Sequence, residues 1–349
     1  MSARVDFGRR VLVLRRQRVA VRLEWRSVIV CSVLALAVAG TAVLALMTGS
    51  FQLSPGEVVS ALTGQTTGLV RDIVVEWRLP RVVAALVFGA ALGVSGAVFQ
   101  STLRNPLADP GIIGFSQGSY TGALIVILLI NGTYWQLVGG ALIGGVATAL
   151  AVYLIAYRRG VQGFRLIIVG IGISSMLGSF NTWLILKADL DQAMAAATWG
   201  AGSLNGVSWP QVAVGGACIA VLLLLAAMSS RPMRQLELGD DAAAAQGVRV
   251  SAVRLGLILL GVALTATVTA ASGPIAFISL VAPQIGRRLT RTAGITLAPA
   301  ALVGALLCLA ADYLAQHVAP TPLPVGIVTV ILGGGYLGWL LITEARRRL

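Results

Sequence analysis

Apolar runs of about one bilayer thickness recur along the chain, and short polar segments separate them. The runs fall at 27–48, 82–101, 112–130, 136–157, 166–186, 210–228, 255–271, 274–286, 295–316 and 324–342. A helix needs about 20 apolar residues to cross the hydrocarbon core. The pattern therefore predicts ten spanning helices, the eighth of them short. Small residues punctuate the runs, as at Gly89, Gly93 and Gly96, Gly139 and Gly140, Gly144 and Gly145, and Gly170 and Gly172. Small side chains let helix backbones approach closely in lipid, so these stretches predict helix–helix contacts. Three connections are long, at 49–81, 187–209 and 229–254. Long connections usually carry function.

Composition sharpens the class. Of 349 residues, 57% are hydrophobic and 11% charged, with mean hydropathy +0.88. A soluble domain is about 45–50% apolar and about 25% charged. These values exclude a soluble enzyme, a disordered protein and a secreted disulfide scaffold. They leave a polytopic membrane protein.

Charge then orients it. The net charge is +13, and every basic residue is Arg except Lys187. In a soluble protein that balance would suggest nucleic acid. Here the arginines cluster between apolar runs, no soluble basic domain exists, and no nucleic-acid partner is expected. With the N-terminus inside and ten spans, inner segments hold 22 of the 26 basic residues. The outer segments hold Arg71, Arg78, Arg81 and Lys187. This asymmetry predicts a multi-pass protein of the cell membrane with both termini cytoplasmic. Residues 1–26, with eight arginines and two acids, read as an uncleaved basic cytoplasmic arm facing solvent or lipid headgroups. Residues 27–349 read as the polytopic membrane domain.

Candidate chemistry is sparse. Cys31, Cys218 and Cys308 each lie inside or beside an apolar run without metal-ligand spacing, and His317 stands alone. They read as packing residues, with no metal site. Asp312, about one turn from the outer end of the ninth run, is the one acid inside a span. That disfavours an ion-coupled carrier, which needs intramembrane carboxylates. Arg104, Asn105, Pro106, Leu107, Asp109 and Pro110 share one turn between the second and third runs. Two prolines make it non-helical, and such backbone at membrane depth is tolerated against protein or a water-filled cavity. It reads as a break lining a pathway.

Between Leu238 and Val248, Gly239 precedes Asp240, Asp241 and a run of alanines that ends at Gly247. Acids favour a helix start and alanine propagates it. A short helix is expected there, offered to a cytoplasmic partner. The chain holds no G-x-x-x-x-G-K-[ST] loop, so it is not expected to hydrolyse ATP by a P-loop mechanism. A weak echo between 81–92 and 254–264, in spans of opposite direction, suggests an inverted repeat.

These residues resemble the FecCD family, the iron-siderophore and cobalamin permeases of type II ABC importers. The resemblance runs along essentially the whole chain after the basic arm. It is carried by Arg78 to Arg81, Gly89 to Gly96 with Gln100, Asn105 to Pro110 with Gly114, and Trp199 to Leu204. It continues through Leu238 to Val248, Gly273 to Pro283, Ala311 and Asp312, and Pro324 to Thr329. It implies an all-α integral membrane protein of about ten transmembrane helices with an inverted-repeat core. The implied function is a permease subunit of an ATP-driven ferric siderophore importer. Cobalamin or haem is the alternative cargo, and an ion-coupled carrier a more distant one. The implied partners are a cytoplasmic ABC ATPase dimer, a second permease subunit, identical or related, an extracytoplasmic siderophore-binding protein and membrane lipid. No cofactor is bound directly; the partner uses ATP.

Site residues follow from the same resemblance. Arg78 and Arg81 match arginines that face acidic residues of the binding protein. Leu238, Gly239, Asp240, Asp241, Ala242, Gly247 and Val248, in a coupling segment at about 229–254, match the elements that meet the ATPase. Asn105 and Leu107 match a constriction of the pathway, and Gly163 and Phe164 a second one. The chain departs from the family pattern at Gln284, Gln316, Leu323 and the late Gly333 to Gly335 stretch. The missing third arginine at 316 weakens one binding-protein contact.

Overall fold

Every apolar run becomes a helix. The computed structural model describes residues 11–16, 19–111, 114–156, 163–294 and 296–348. A hairpin of β1 (Val11–Arg16) and β2 (Val19–Glu24) precedes α1 (Trp25–Met47), α2 (Pro55–Leu62) and α3 (Leu69–Arg71). A π-wound turn, Asp72–Arg78, leads into α4 (Leu79–Leu103), followed by α5 (Phe115–Ile125) with a π-wound end to Ile130, and α6 (Tyr134–Ala156). Then come α7 (Gly163–Lys187), α8 (Leu190–Gly200), α9 (Trp209–Met228), α10 (Ser230–Glu237) and α11 (Asp240–Ala245). The chain closes with α12 (Val250–Ser272), α13 (Ile278–Thr290), α14 (Leu297–His317) and α15 (Val325–Arg348).

Among the described residues, seven helices are long and apolar enough to cross a membrane. Phe115–Ile130 and Val325–Trp339 are shorter apolar helices. The eighth run is the exception that its length announced. It starts late, as the 13-residue α13, which at about 1.5 Å per residue reaches only about 20 Å. Gly273 and Phe277 both take positive φ, +74° and +70°, and Pro274 between them has no N–H. The backbone of 273–277 is therefore non-helical and completes the crossing. Pro80 shapes the other irregular entry. It offers no N–H to the Glu76 carbonyl, and the turn before it is wound as π-helix.

The basic arm departs from the expectation of a plain tail. Its Val- and Leu-rich stretches pair antiparallel, Val11 opposite Glu24 and Arg16 opposite Val19. Arginine content alone hid this β-prone alternation.

Helix α4 is the centre. In its apolar window 78% of residues are buried, against 6% in α1 and 17% in α7. It packs on α14, α12, α13 and α9. Glycines make this possible: a Cβ at Gly93 would overlap the Ala300 carbonyl, one at Gly89 the Gly304 carbonyl, and one at Gly96 the Ser279 carbonyl. The pair α5 and α6 repeats the device, Gly118 and Gly122 lying against Gly140 and Gly144.

Two ends of the bundle can now be distinguished. The near face carries the start of α1, where Arg26 Nε donates to the Leu289 carbonyl at 3.0 Å, together with α10, α11 and the start of α12. The far face carries the start of α4, the end of α12, where Ser203 N–H donates to the Ser272 carbonyl at 2.7 Å, and the start of α15, where Gly326 N–H donates to the Gly202 carbonyl at 3.0 Å.

Candidate transport path and coupling face

On the far face, the two arginines of the α4 entry are held by the chain itself. Arg81 is bidentate to Asp312 of α14, with Nε to Oδ2 at 2.8 Å and Nη2 to Oδ1 at 2.7 Å. Asp312 is 1% exposed and Arg81 16%. Gln316 Nε2 adds a bond to Asp312 Oδ2 at 2.9 Å. Gln316, where the resemblance expects a third arginine, thus turns toward the buried carboxylate. Arg78 Nη1 donates to the Leu46 carbonyl at 2.6 Å, and its Nη2 donates to the Phe51 carbonyl. It ties the end of α1 to the α4 entry. His317 stacks on Tyr313 with ring centroids 4.3 Å apart and bonds the Tyr313 carbonyl through Nδ1.

The turn after α4 folds into the bundle. Arg104 takes positive φ, +51°, and ends the helix. Asn105 Oδ1 accepts the Leu107 N–H at 2.9 Å, and Asp109 Oδ1 accepts the Gly111 N–H. Ser279, in the first turn of α13, donates to Asp109 Oδ2 at 2.6 Å. Gln284 of α13 is 4% exposed, and its Nε2 donates to Gln100 Oε1. Gln100 Nε2 passes the chain on to the Leu280 carbonyl at 2.9 Å. Polar side chains inside apolar runs thus fasten the break to α13. Asn105 is half-buried and Leu107 is 44% exposed. Gly163 begins α7; the side-chain placements at Gly163 and Phe164 lie outside the described residues, as do Arg158 and Arg159.

At the near face, α10 and α11 form a helical hairpin. Gly239 takes φ +112° and Gly247 φ +84°, so glycine supplies both ends of α11. The expected short helix is there, with Leu238 67% exposed at its tip. Asp240 Oδ1 is shared by Arg254 Nη2 at 2.7 Å and Arg104 Nη2 at 3.0 Å. The Arg254 hydrogen bond holds the Asp240 carboxyl below its ordinary value, and the charges of Arg254 and Arg104 add to it against the effect of burial. Ser101 Oγ donates to Glu237 Oε1 at 2.7 Å. A 210 Å³ cavity between these parts is lined by Asn105, Pro106, Glu237 and Gln284. The end of α4 at Ser101 and the start of the break at Arg104 are thus each hydrogen-bonded to the coupling segment, 136 residues on.

A larger cavity of about 740 Å³ opens between α5, α7 and α15 toward the far face. Among the described residues that line it, none is charged. Its polar groups are Ser116, Gln117, Tyr120, Asn181 and Thr182. Sequence reasoning missed Gln117, Asn181 and the lock made by Gln284; the available signal was an amide side chain inside an apolar run.

A helical bundle with broken helices, a chamber and an exposed helical hairpin has the architecture of a membrane transport protein. Residues 31–343 match the FecCD transport family, and the chain belongs to that family. It is 48% identical over 324 residues to the ferric enterobactin transport system permease protein FepG of Escherichia coli, covering 93% of this chain and 98% of that protein. It is 36% identical over 312 residues to the iron(3+)-hydroxamate import system permease protein FhuG of Bacillus subtilis, covering 86% and 92%. A solved structure of a metal-chelate type ABC transporter in an inward-facing conformation superposes with TM-score 0.81 at 26% identity, over 90% of this chain and 99% of that one.

Proposed function

We propose that this chain is a permease subunit of an ATP-driven importer for ferric siderophores in the cell membrane, and that a second permease subunit completes the path. The observation that carries this reading is the 48% identity to a ferric enterobactin permease over nearly the full length of both chains. The near face is cytoplasmic, since the basic segments gather there. An ABC ATPase dimer docks on α10 and α11, with the exposed Leu238 as an apolar contact and Asp240, Asp241, Ala242, Gly247 and Val248 forming the rest of the surface. Force applied to α11 reaches the break at Asn105 and Leu107 through Asp240 and Arg104, which are 3.0 Å apart. A siderophore-binding protein docks on the far face. There Arg81, already spent on Asp312, fixes the entry of α4, and Arg78 fixes the loop before it. The half-buried Arg71 in the same segment is paired with Asp72 at 3.6 Å and lies 4.0 Å from Glu76.

The test is uptake of radiolabelled ferric siderophore by cells with and without the gene. ATP is depleted in one arm and the proton gradient collapsed in another. Gene-dependent uptake that fails with ATP is the expected result. Uptake that fails only with the gradient overturns the ATP-driven mechanism. Gene-dependent uptake of haem or cobalamin instead of iron moves the cargo.

A further inference from the structure

The 740 Å³ cavity holds an ordered amide network whose polarity can be read. Asn181 of α7 is 2% exposed. One of its terminal atoms lies 3.3 Å from the backbone carbonyl of Gln117, which only accepts, so that atom is Nδ2. Its other terminal atom is then Oδ1, which lies 2.7 Å from Thr121 Oγ1 and shares that hydroxyl's one proton with the Gln117 carbonyl at 2.8 Å. Asn181 Nδ2 also lies 3.2 Å from the end of the Gln117 side chain, so that atom is the acceptor Oε1. One direction of hydrogen bonding thus runs from Thr121 through Asn181 to Gln117. It leaves Gln117 Nε2, with two N–H groups and no partner among the described residues, in a half-buried side chain lining the cavity.

We infer that Gln117, held by Asn181 and Thr121, is a chelate-binding subsite in the far half of the path, taking the oxygen atoms of an anionic, oxygen-rich ferric chelate. The inference rests on the siderophore reading. The volume lies within the about 300–1,000 Å³ of ordinary small-molecule sites. Two of the neighbouring hydroxyls are already committed as donors: Tyr120 donates to the Ala196 carbonyl at 3.1 Å and Thr182 to the Gly178 carbonyl at 3.0 Å. Gln117 is therefore the side chain in which this network ends with donors unspent. A neutral donor suits a path, because a site must bind well enough to admit its cargo and weakly enough to release it. An arginine there would hold a trianionic iron chelate; an amide passes it on.

The experiment uses the complete transporter, permease with its ATPase and binding protein, in proteoliposomes. The probes are ferric enterobactin, a trianionic triscatecholate, and ferrichrome, a neutral trihydroxamate, both labelled with radioactive iron. Gln117→Leu should lower initial uptake of ferric enterobactin about threefold and Gln117→Glu about tenfold, about 1.4 kcal/mol. Gln117→Asn should fall between Leu and wild type. Where ferrichrome is carried, Gln117→Glu should lower it less than ferric enterobactin, a difference no purely structural role produces. Equal uptake by the wild type, Leu and Glu variants overturns the subsite, as does an equal fall for both chelates. Wild-type vesicles that carry neither chelate overturn the siderophore reading itself, and the subsite falls with it.

Discussion

Arg81 grips Asp312 through two parallel bonds, 2.7 and 2.8 Å long, and joins the first turn of α4 to the last turns of α14. Both partners are largely shielded from water. Breaking a buried pair from one side costs about 3–5 kcal/mol, because the remaining charge is stranded. Arg81→Ala and Asp312→Asn should therefore each lower the melting temperature of the detergent-purified protein. The double variant should recover part of the loss. Arg81→Lys should remain destabilising, since an ammonium cannot reproduce the planar two-point contact. Strictly additive losses in the double variant would show that the pair carries no coupling.

Gly93 is a second anchor of the same interface. A Cβ there would enter the Ala300 carbonyl, so the neighbour that must give is backbone. Gly93→Val should separate α4 from α14 and remove most folded protein from the membrane, whereas Gly139→Val, where nothing lies within 4 Å of the added Cβ, should express normally. Similar yields of the two variants, read by size-exclusion profile, would contradict the close helix contact.

These two contacts show what the sequence could and could not disclose. Each of the ten apolar runs overlaps a helix among the described residues, and the short eighth run foretold α13, because lipid imposes a fixed thickness and permits few geometries. The repeated small residues foretold the close packing of α4. Partner choice was not legible. Arg81 reads in one dimension as an outward-facing cation, and only the fold brings Asp312, 231 residues away, against it. Gln117 and Asn181 are likewise 64 residues apart, so their hydrogen bond leaves no local pattern. The α10–α11 hairpin was legible because its signals are local: glycine at each end, acids at the start and alanines between.

Asp240 connects that hairpin to the path. Its carboxyl is held below the ordinary range by Arg254 and Arg104. A lowered folded value means the link is fully formed above the unfolded carboxylate value, about 3.9, and is lost as pH falls through the folded one. Between pH 6 and 8 the link should be indifferent to pH. Asp240→Ala removes it at every pH. The variant should hydrolyse ATP at near wild-type rate in proteoliposomes but move several-fold less chelate per ATP. Retained coupling in the variant would place the transmission elsewhere.

Gln284 is one of the side chains of α13 that face the break at 104–110. Its Nε2 serves Gln100 Oε1 and lies 3.5 Å from the Pro106 carbonyl, while Arg287 Nη2 donates to its Oε1 at 3.3 Å. Gln284→Ala leaves the buried Gln100 oxygen without this donor, at a cost of about 1–3 kcal/mol. The structure can recover that cost by letting the turn swing out of the bundle. The expected phenotype is leakage: vesicles loaded with ferric chelate should lose it faster without ATP, while the melting temperature falls only slightly. Gln284→His keeps one ring N–H for Gln100 and should restore much of the seal. A leak-free Gln284→Ala transporter would mean that the Ser279–Asp109 bond, 2.6 Å long, holds the turn by itself. Adding Ser279→Ala should then open it.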